Sequence, residues 1–297
     1  MRVAIIGGAG FLGSHLVDQL LAAGRSVDVI DDLSSGALAN LADARRSDGA
    51  LKIDHLDAAG ADLHTLLGMR TPDVVFHLAL LPRHDRSGPA QLGALDRTLV
   101  LLEAARRHRI GKVVVALPAR SLYGYPAPSA LPVKETEPLP RGVRGVVARA
   151  ILDLLTEYRE RHAIEFTALA MTTVYGPRQR PTGGLVASLA AAAAAGETPA
   201  LHADGRQTRD LLFVDDAADA LSRAAERGSG LLINVGTGHQ TLVRDVWARM
   251  AGPGAASPTT VATAPDDLIR FAVSPVRARI HLQWSPWTDV DTGLSQL

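Results

Sequence analysis

The sequence predicts a doubly wound α/β fold, a parallel sheet with helices on both faces, together with a smaller C-terminal α/β lobe. Two patterns carry the prediction. Short β-rich runs alternate with stretches of helical periodicity through the first half of the chain, the order that βαβ units impose. Several runs, such as Val113-Val114-Val115, are apolar throughout rather than alternating, as strands covered on both faces should be.

In order, the first strand is Val3–Ile6, followed by a helical Gly13–Ala23 whose Leu16, Val17, Leu20 and Leu21 share one face. Strands follow at Val27–Ile30 and Val74–Leu78, a helix at Ala94–Arg107 and a strand at Lys112–Leu117. A further helix spans about Val146–Arg161, with apolar Val147, Ile151, Leu154, Leu155 and Tyr158, and leads to the strand Phe166–Met171. After Gly176 the character changes. Gly and Pro cluster through Pro177–Gly184, Ser188–Ala195 reads as an alanine-rich helix, and Gly252–Thr260 as a loop. Arg209–Val214, Leu231–Val235 and a helix near Val243–Met250 are expected in a smaller lobe. The division expected is a dinucleotide-binding domain over residues 1–176, with core returns from about 210–240, and mainly a substrate lobe over 177–297.

The 297 residues carry 31 Lys plus Arg against 31 Asp plus Glu, so the net charge is zero. No electrostatic case exists for nucleic acid or an anionic membrane as partner. There is no cysteine, which excludes disulfides, thiolate nucleophiles and zinc–thiolate sites. No apolar run approaches the roughly 18 residues of a membrane helix. Met1 leads within one residue into a strand, leaving no room for a secretory leader, and a cytoplasmic location is expected. No His-x-x-x-His pair or carboxylate cluster has metal-ligand spacing, so no metal is expected. No Gly-x-Ser-x-Gly elbow occurs.

The first strand runs into Gly7-Gly8-Ala9-Gly10-Phe11-Leu12-Gly13 and then a helix. Glycines there permit a tight turn and close approach of backbone to a pyrophosphate, and the helix N-terminus adds N–H donors and a positive dipole end. A second strand ends in Asp31-Asp32, about 20 residues on, where a carboxylate accepts from an adenosine ribose and repels a 2′-phosphate. The expected cofactor is therefore NAD rather than NADP, on a Rossmann-type sheet.

The loop, followed by Asp31-Asp32-Leu33-Ser34-Ser35-Gly36, resembles the extended short-chain dehydrogenase/reductases, and within them the sugar-nucleotide epimerases and dehydratases. The match continues at Asp73-Val74-Val75-Phe76-His77-Leu78-Ala79, Leu122-Tyr123-Gly124 and Val174-Tyr175-Gly176-Pro177-Arg178-Gln179. It resumes at Asp204-Gly205-Arg206-Gln207-Thr208-Arg209-Asp210, Val214-Asp215-Asp216 and Asn234-Val235-Gly236-Thr237-Gly238. The resemblance implies a cofactor site formed by Gly7, Gly10, Phe11, Leu12, Gly13, Asp31, Asp32, Ser34, Ser35, Gly36, Asp54, His55, Leu78, Ala79 and Leu80, with Asp54 against the adenine. It also implies a small-molecule substrate such as a nucleotide-sugar, held by Thr173, Arg178 and Arg209. Members commonly pair through two helices matching Ala94–Arg107 and Val146–Arg161, so a homodimer is expected.

The chemistry departs from this pattern. The family's reaction rests on Tyr-x-x-x-Lys, which places both side chains on one helical face, where the ammonium and the nicotinamide ribose lower the tyrosine pKa. The tyrosines here are 123, 125, 158 and 175, and the residues four further on are Ala127, Ser129, His162 and Gln179. No such pair exists. Counting back from Val174-Tyr175-Gly176, the tyrosine falls at about Arg144 and the lysine at about Ala148; a one-residue shift offers Arg149. The serine-rich end of the fifth strand reads Ala116-Leu117-Pro118-Ala119, leaving Ser121 as the nearest hydroxyl. Ala94, Thr173 and Leu80 replace other residues usual around the same locus. Ser121, Tyr123, Arg144 and Arg149 are the catalytic candidates, with Tyr125, the Arg83-His84-Asp85-Arg86 segment and a more structural His77 also near the expected cleft. Two functions stand open. One is an NAD(H)-binding epimerase/dehydratase-like enzyme using altered chemistry, and the other a catalytically inactive nucleotide-binding or regulatory homologue.

Overall fold

The structure is a computed structural model that describes residues 1–81, 87–135, 138–253, 257–261 and 270–297. The central sheet is built from β1 (Arg2–Ile6), β2 (Ser26–Asp31), β3 (Leu51–His55), β4 (Val74–His77), β5 (Lys112–Pro118), β6 (Glu165–Met171) and the strand Leu231–Val235. All seven run parallel, in the spatial order Leu231–Val235, β6, β5, β4, β1, β2, β3. The chain winds outward from β1 to β3, then returns to the other side of β1 at β4. Ile6 is therefore flanked by Ile30 and His77. That reversal opens a crevice at the carboxyl ends of β1 and β4, where ligands of such sheets bind.

Alternation along β1 divides the core. Val3 and Ile5 pack with α1 (Phe11–Ala22), while Ala4 and Ile6 pack on the opposite face. The helices that follow α1 are, in chain order, α2 (Ala42–Arg46), α3 (Ala61–Arg70), α4 (Gly88–His108), α5 (Ala119–Tyr123), α6 (Gly142–His162), α7 (Leu185–Ala195) and α8 (Val214–Ala224). α3, α4 and α6 cover the second face, and α8 packs against α1 on the first.

The strand β3 and helix α3 are absent from the sequence reading for a physical reason. β3 is the sheet edge, its residues only half-buried or exposed, so Leu-Lys-Ile-Asp-His lacks the continuous apolar run of the inner strands. α4 begins six residues before Ala94, at Gly88. Ser87 caps it, its hydroxyl accepting from the Ala90 N–H, with Pro89 in the first turn, a start signal that apolar periodicity does not register. Leu231–Val235, grouped by its pattern with the smaller lobe but lying within the core return expected over about 210–240, forms the sheet edge beside β6. The α1-side core continues through Val174, Phe213 and Leu221 into Val186, Leu189, Leu201 and Trp247. Among the described residues no helix is long and apolar enough to cross a membrane.

Candidate cofactor and substrate site

Three glycines of the first turn, Gly7, Gly10 and Gly13, have separate roles. Gly7 adopts φ +85°, and its N–H donates to Ile30 O at 2.8 Å, turning the chain out of β1. A Cβ on Gly13 would lie 2.1 Å from Gly7 O and 2.8 Å from Gly8 Cα, so only hydrogen lets α1 sit on the turn. At Gly10 a Cβ would meet a single atom, Gly7 O at 3.2 Å, and the rest of its surroundings are open. Gly10 is also the N-cap of α1, with no side-chain capping bond and no acid in the first turn. The start of α1 thus carries neither a side-chain cap nor an acid in its first turn beside the open Gly10 position, which fits a dinucleotide diphosphate.

Asp31 ends β2 beside this turn. Its Oδ2 accepts from the Ala9 N–H and its Oδ1 from the Leu33 N–H, each at 2.8 Å. Burial raises its pKa against those bonds. The following segment folds back over the loop: Ala37 N–H and the Asn40 side chain both donate to Ala9 O, and a Cβ on Gly36 would lie 2.8 Å from Asp31 Oδ1. Asp32 accepts from the Ser34 N–H and hydroxyl, and Ser34 and Ser35 are exposed on the turn. Leu78 and Ala79 donate their N–H groups to Ile6 O, and Leu80 is buried. Asp54, expected against the adenine, accepts from Arg70 of α3 through both its oxygens, at 2.9 and 3.0 Å. His55, next to it, contacts Asp32 O at 3.1 Å.

The catalytic candidates do not converge as one group. Tyr123 is buried and donates to Asn234 Oδ1 at 2.7 Å; Asn234 in turn donates through Nδ2 to Val133 O and through its N–H to Glu135. Burial and Glu135 push the phenol up from its ordinary value. Its proton is held inside a structural network. Arg149 is engaged with Asp153, one turn along α6, at 2.9 Å. Ala148, the residue that the sequence count sets at about the lysine's position, is fully buried. Arg144 is half-buried in the first turn of α6, and Ser121 lies against that turn, its carbonyl accepting from the Arg141 N–H at 3.1 Å. His77 is fully buried with neither ring nitrogen hydrogen-bonded, and burial lowers its pKa to about 3. Tyr125 is exposed beneath the Arg141 guanidinium. The Arg83–Arg86 segment lies outside the described residues.

On the substrate side, Thr173 opens β7 (Thr173–Tyr175), its N–H donating to Asp210 O at 3.0 Å. Asp210 is buried and holds the Asn234–Gly238 segment by accepting from Thr237 and Gly238. The adjacent Arg209 donates to Thr208 O and Gln207 Oε1, and burial with the nearby Arg120 lowers it to about 10. Arg178 goes elsewhere. It pairs with Asp18 of α1 at 2.7 Å and Asp43 of α2 at 3.3 Å. His15 links Asp215 to Pro177 O, and Arg180 donates to Gly36 O. Residues 177–180 therefore form a strap over α1 and the Asp31–Gly36 turn. Sequence reasoning missed this, because the partners of Arg178 are 160 and 135 residues away. It also passed over Arg120, whose only signal was a charge beside Ser121. Among the described residues no cluster of three or more His, Cys, Asp or Glu could hold a metal.

The crevice, the glycine turn and the terminal aspartate of β2 define a dinucleotide-binding α/β protein with its substrate cleft at the carboxyl ends of the strands. The chain belongs to the NAD dependent epimerase/dehydratase family, whose profile matches residues 3–236. A UDP-glucose 4-epimerase from Mycolicibacterium smegmatis is 38% identical over 311 residues, covering 100% of this chain and 97% of that protein. The UDP-glucose 4-epimerase of Thermotoga maritima, solved with UDP-glucose, superposes with a TM-score of 0.91 at 28% identity, covering 100% and 97% of the two chains. That of Thermus thermophilus, complexed with NAD, gives 0.88 at 27% identity with the same coverage.

Proposed function

We propose that the protein is an NAD-dependent enzyme acting on a nucleotide-sugar or a closely related small molecule, by chemistry that does not rest on a Tyr–Lys pair. The observation that carries this reading is the occupancy of one helical face. Counting back from Val174-Tyr175-Gly176 puts Arg144 and the fully buried Ala148 at the positions expected for the proton-transfer pair, and Tyr123 is committed to Asn234. The first half of the reading is supported by the open Gly10 position, the uncapped start of α1 and Asp31, which together suit the diphosphate and adenosine ribose. NAD, when bound, supplies a hydride acceptor and donor at the sugar carbon. Arg209 is the group suited to the substrate diphosphate, as a largely buried guanidinium whose hydrogen bonds go to neutral oxygens. Arg144 cannot replace a tyrosinate, since a guanidinium has no accepting lone pair at neutral pH and acts by donating.

The same reading includes a homodimer. α4 and α6 lie side by side and leave Leu92, Leu99, Val143 and Val146 exposed, apolar surface of the kind a self-complementary interface covers.

The test is to add UDP-glucose and UDP-galactose to the NAD-loaded protein and follow both reduced cofactor at 340 nm and sugar interconversion. Interconversion at least about 100-fold below that of a Tyr–Lys epimerase assayed beside it is expected, because general acid–base catalysis contributes roughly 10²–10⁴-fold. Interconversion at a matching rate would refute the proposal. Binding of both ligands with no chemistry on any nucleotide-sugar would favour the inactive homologue.

A further inference from the structure

The segment that follows β2 has little of its own to hold it. Between Asp31 and Ala44 only Gly36 and Leu41 are buried. With so few buried contacts a loop opens at little cost, and its shape rests on polar ties. On one side the ties run to the glycine turn, where Ala37 N–H and the Asn40 side chain donate to Ala9 O. On the other side a distant part of the chain holds it. Arg180 donates to Gly36 O at 3.2 Å, and Arg178 joins Asp43, in the first turn of α2, to Asp18 of α1.

The strap that carries these arginines has a rigid root. β7 pairs in parallel with the strand Leu211–Phe213, and both are buried apart from the half-buried Thr173. His15 of α1 reaches Pro177 O at 3.2 Å, fixing the chain just past that root. Arg178 then takes φ +65°, a left-handed conformation that residues other than glycine hold only where their surroundings impose it. Its guanidinium bridges α1, whose start fits the dinucleotide diphosphate, and α2, which ends the segment opened by Asp31.

We propose that Arg178 and Arg180 are positioning residues for NAD: without touching it, they hold residues 31–43 closed on the glycine turn, in the arrangement the adenosine ribose requires. The inference rests on the dinucleotide site described above and adds to it two residues from the other half of the chain. Affinity for a ligand that needs the closed segment scales with the fraction of molecules that have it. Releasing the strap lowers that fraction, and the loss falls on every ligand sharing the adenosine half of NAD.

The experiment titrates NAD and ADP-ribose calorimetrically into nucleotide-free native protein and its variants. Arg178→Gln should weaken both ligands about tenfold, and Arg180→Gln about threefold. Arg178→Lys, whose ammonium is a single point charge, should recover part of the loss. Asp43→Asn should also weaken NAD, and combining it with Arg178→Gln should not multiply the losses, because the two are ends of one tie. Arg46→Gln is the control. It breaks the other ion pair of Asp43, outside the strap, and should bind NAD as native protein does. A purely structural strap would lower Tm in these variants and leave ligand affinity unmoved. NAD affinity within about twofold of native in folded Arg178→Gln and Arg180→Gln would therefore overturn the proposal. So would losses that multiply in the double variant. Arg180 is exposed, so its variant decides the matter should Arg178→Gln fail to fold. Failure of native protein to bind NAD would instead sink the dinucleotide reading, and this inference with it.

Discussion

Gly10 and Gly13, three residues apart, should respond to substitution in opposite ways. A methyl at Gly13 would lie 2.1 Å from Gly7 O, where ordinary contact begins near 3.4 Å. The start of α1 must then retreat by about 1 Å from the turn, and overpacking of this kind costs about 1–3 kcal/mol, occasionally more. The helix-propensity gain of Ala over Gly, about 1 kcal/mol, offsets part of this. The 2.1 Å approach puts the cost at the upper end of that range, for a net loss of about 2 kcal/mol, and at roughly 2–4 °C per kcal/mol in a chain this size Gly13→Ala should lower Tm by about 4–8 °C. At Gly10 the backbone is at φ −74° and the Cβ position is nearly free. Gly10→Leu should therefore fold with Tm close to native, while its side chain fills the space of the diphosphate and weakens NAD by about 100-fold or more, about 2.7 kcal/mol. The assay is thermal unfolding with and without NAD. Ligand at about 100 Kd adds about 2.7 kcal/mol to the native state, an upward Tm shift that should vanish in Gly10→Leu. A native-like Tm for Gly13→Ala, or a full NAD shift in Gly10→Leu, would refute this account of the loop.

Three further outcomes are expected. Tyr123→Phe removes the donor to Asn234 Oδ1 and should cost about 1–3 kcal/mol in urea denaturation, the range for stranding a buried polar atom, without altering NAD affinity. His77 is held near pKa 3 against an ordinary 6.5, so between those values the unfolded chain binds a proton that the folded one refuses. Its contribution to stability is therefore lost as pH falls from about 6.5 toward 3, at up to about 1.4 kcal/mol per unit. His77→Leu should be within about 1.5 kcal/mol of native at pH 7.5 and lose stability less steeply on acidification; parallel curves in urea would count against it. Val146 is 58% exposed, whereas Ile151 and Leu155 lie inside the subunit. Val146→Asp should therefore yield a folded monomer by light scattering, and Ile151→Asp an unfolded chain; a native protein already monomeric at micromolar concentration would exclude the dimer.

Some of this was legible in one dimension. The glycine turn, the terminal Asp31 and the buried parallel strands are local signals, because a tight turn, a helix dipole and two-sided burial each constrain residues close together in sequence. The absence of a Tyr-x-x-x-Lys pair is likewise a fact of spacing alone. What the sequence did not determine are pairings between distant segments. Arg178, read as a substrate contact, is drawn to Asp18 and Asp43 because the strap crosses α1 and α2. Asp54 is taken by Arg70, and Tyr123 by Asn234, 111 residues later. The apolar stripe of α6 reads as a single band in sequence; packing against β5, β6 and α4 divides it into an inner edge of Val147, Ile151 and Leu155 and an outer edge containing Val146. A side chain's type states which interactions it can make, but whether a carboxylate, a phenol or a guanidinium remains available for a ligand depends on which partner the fold brings within 3 Å of it.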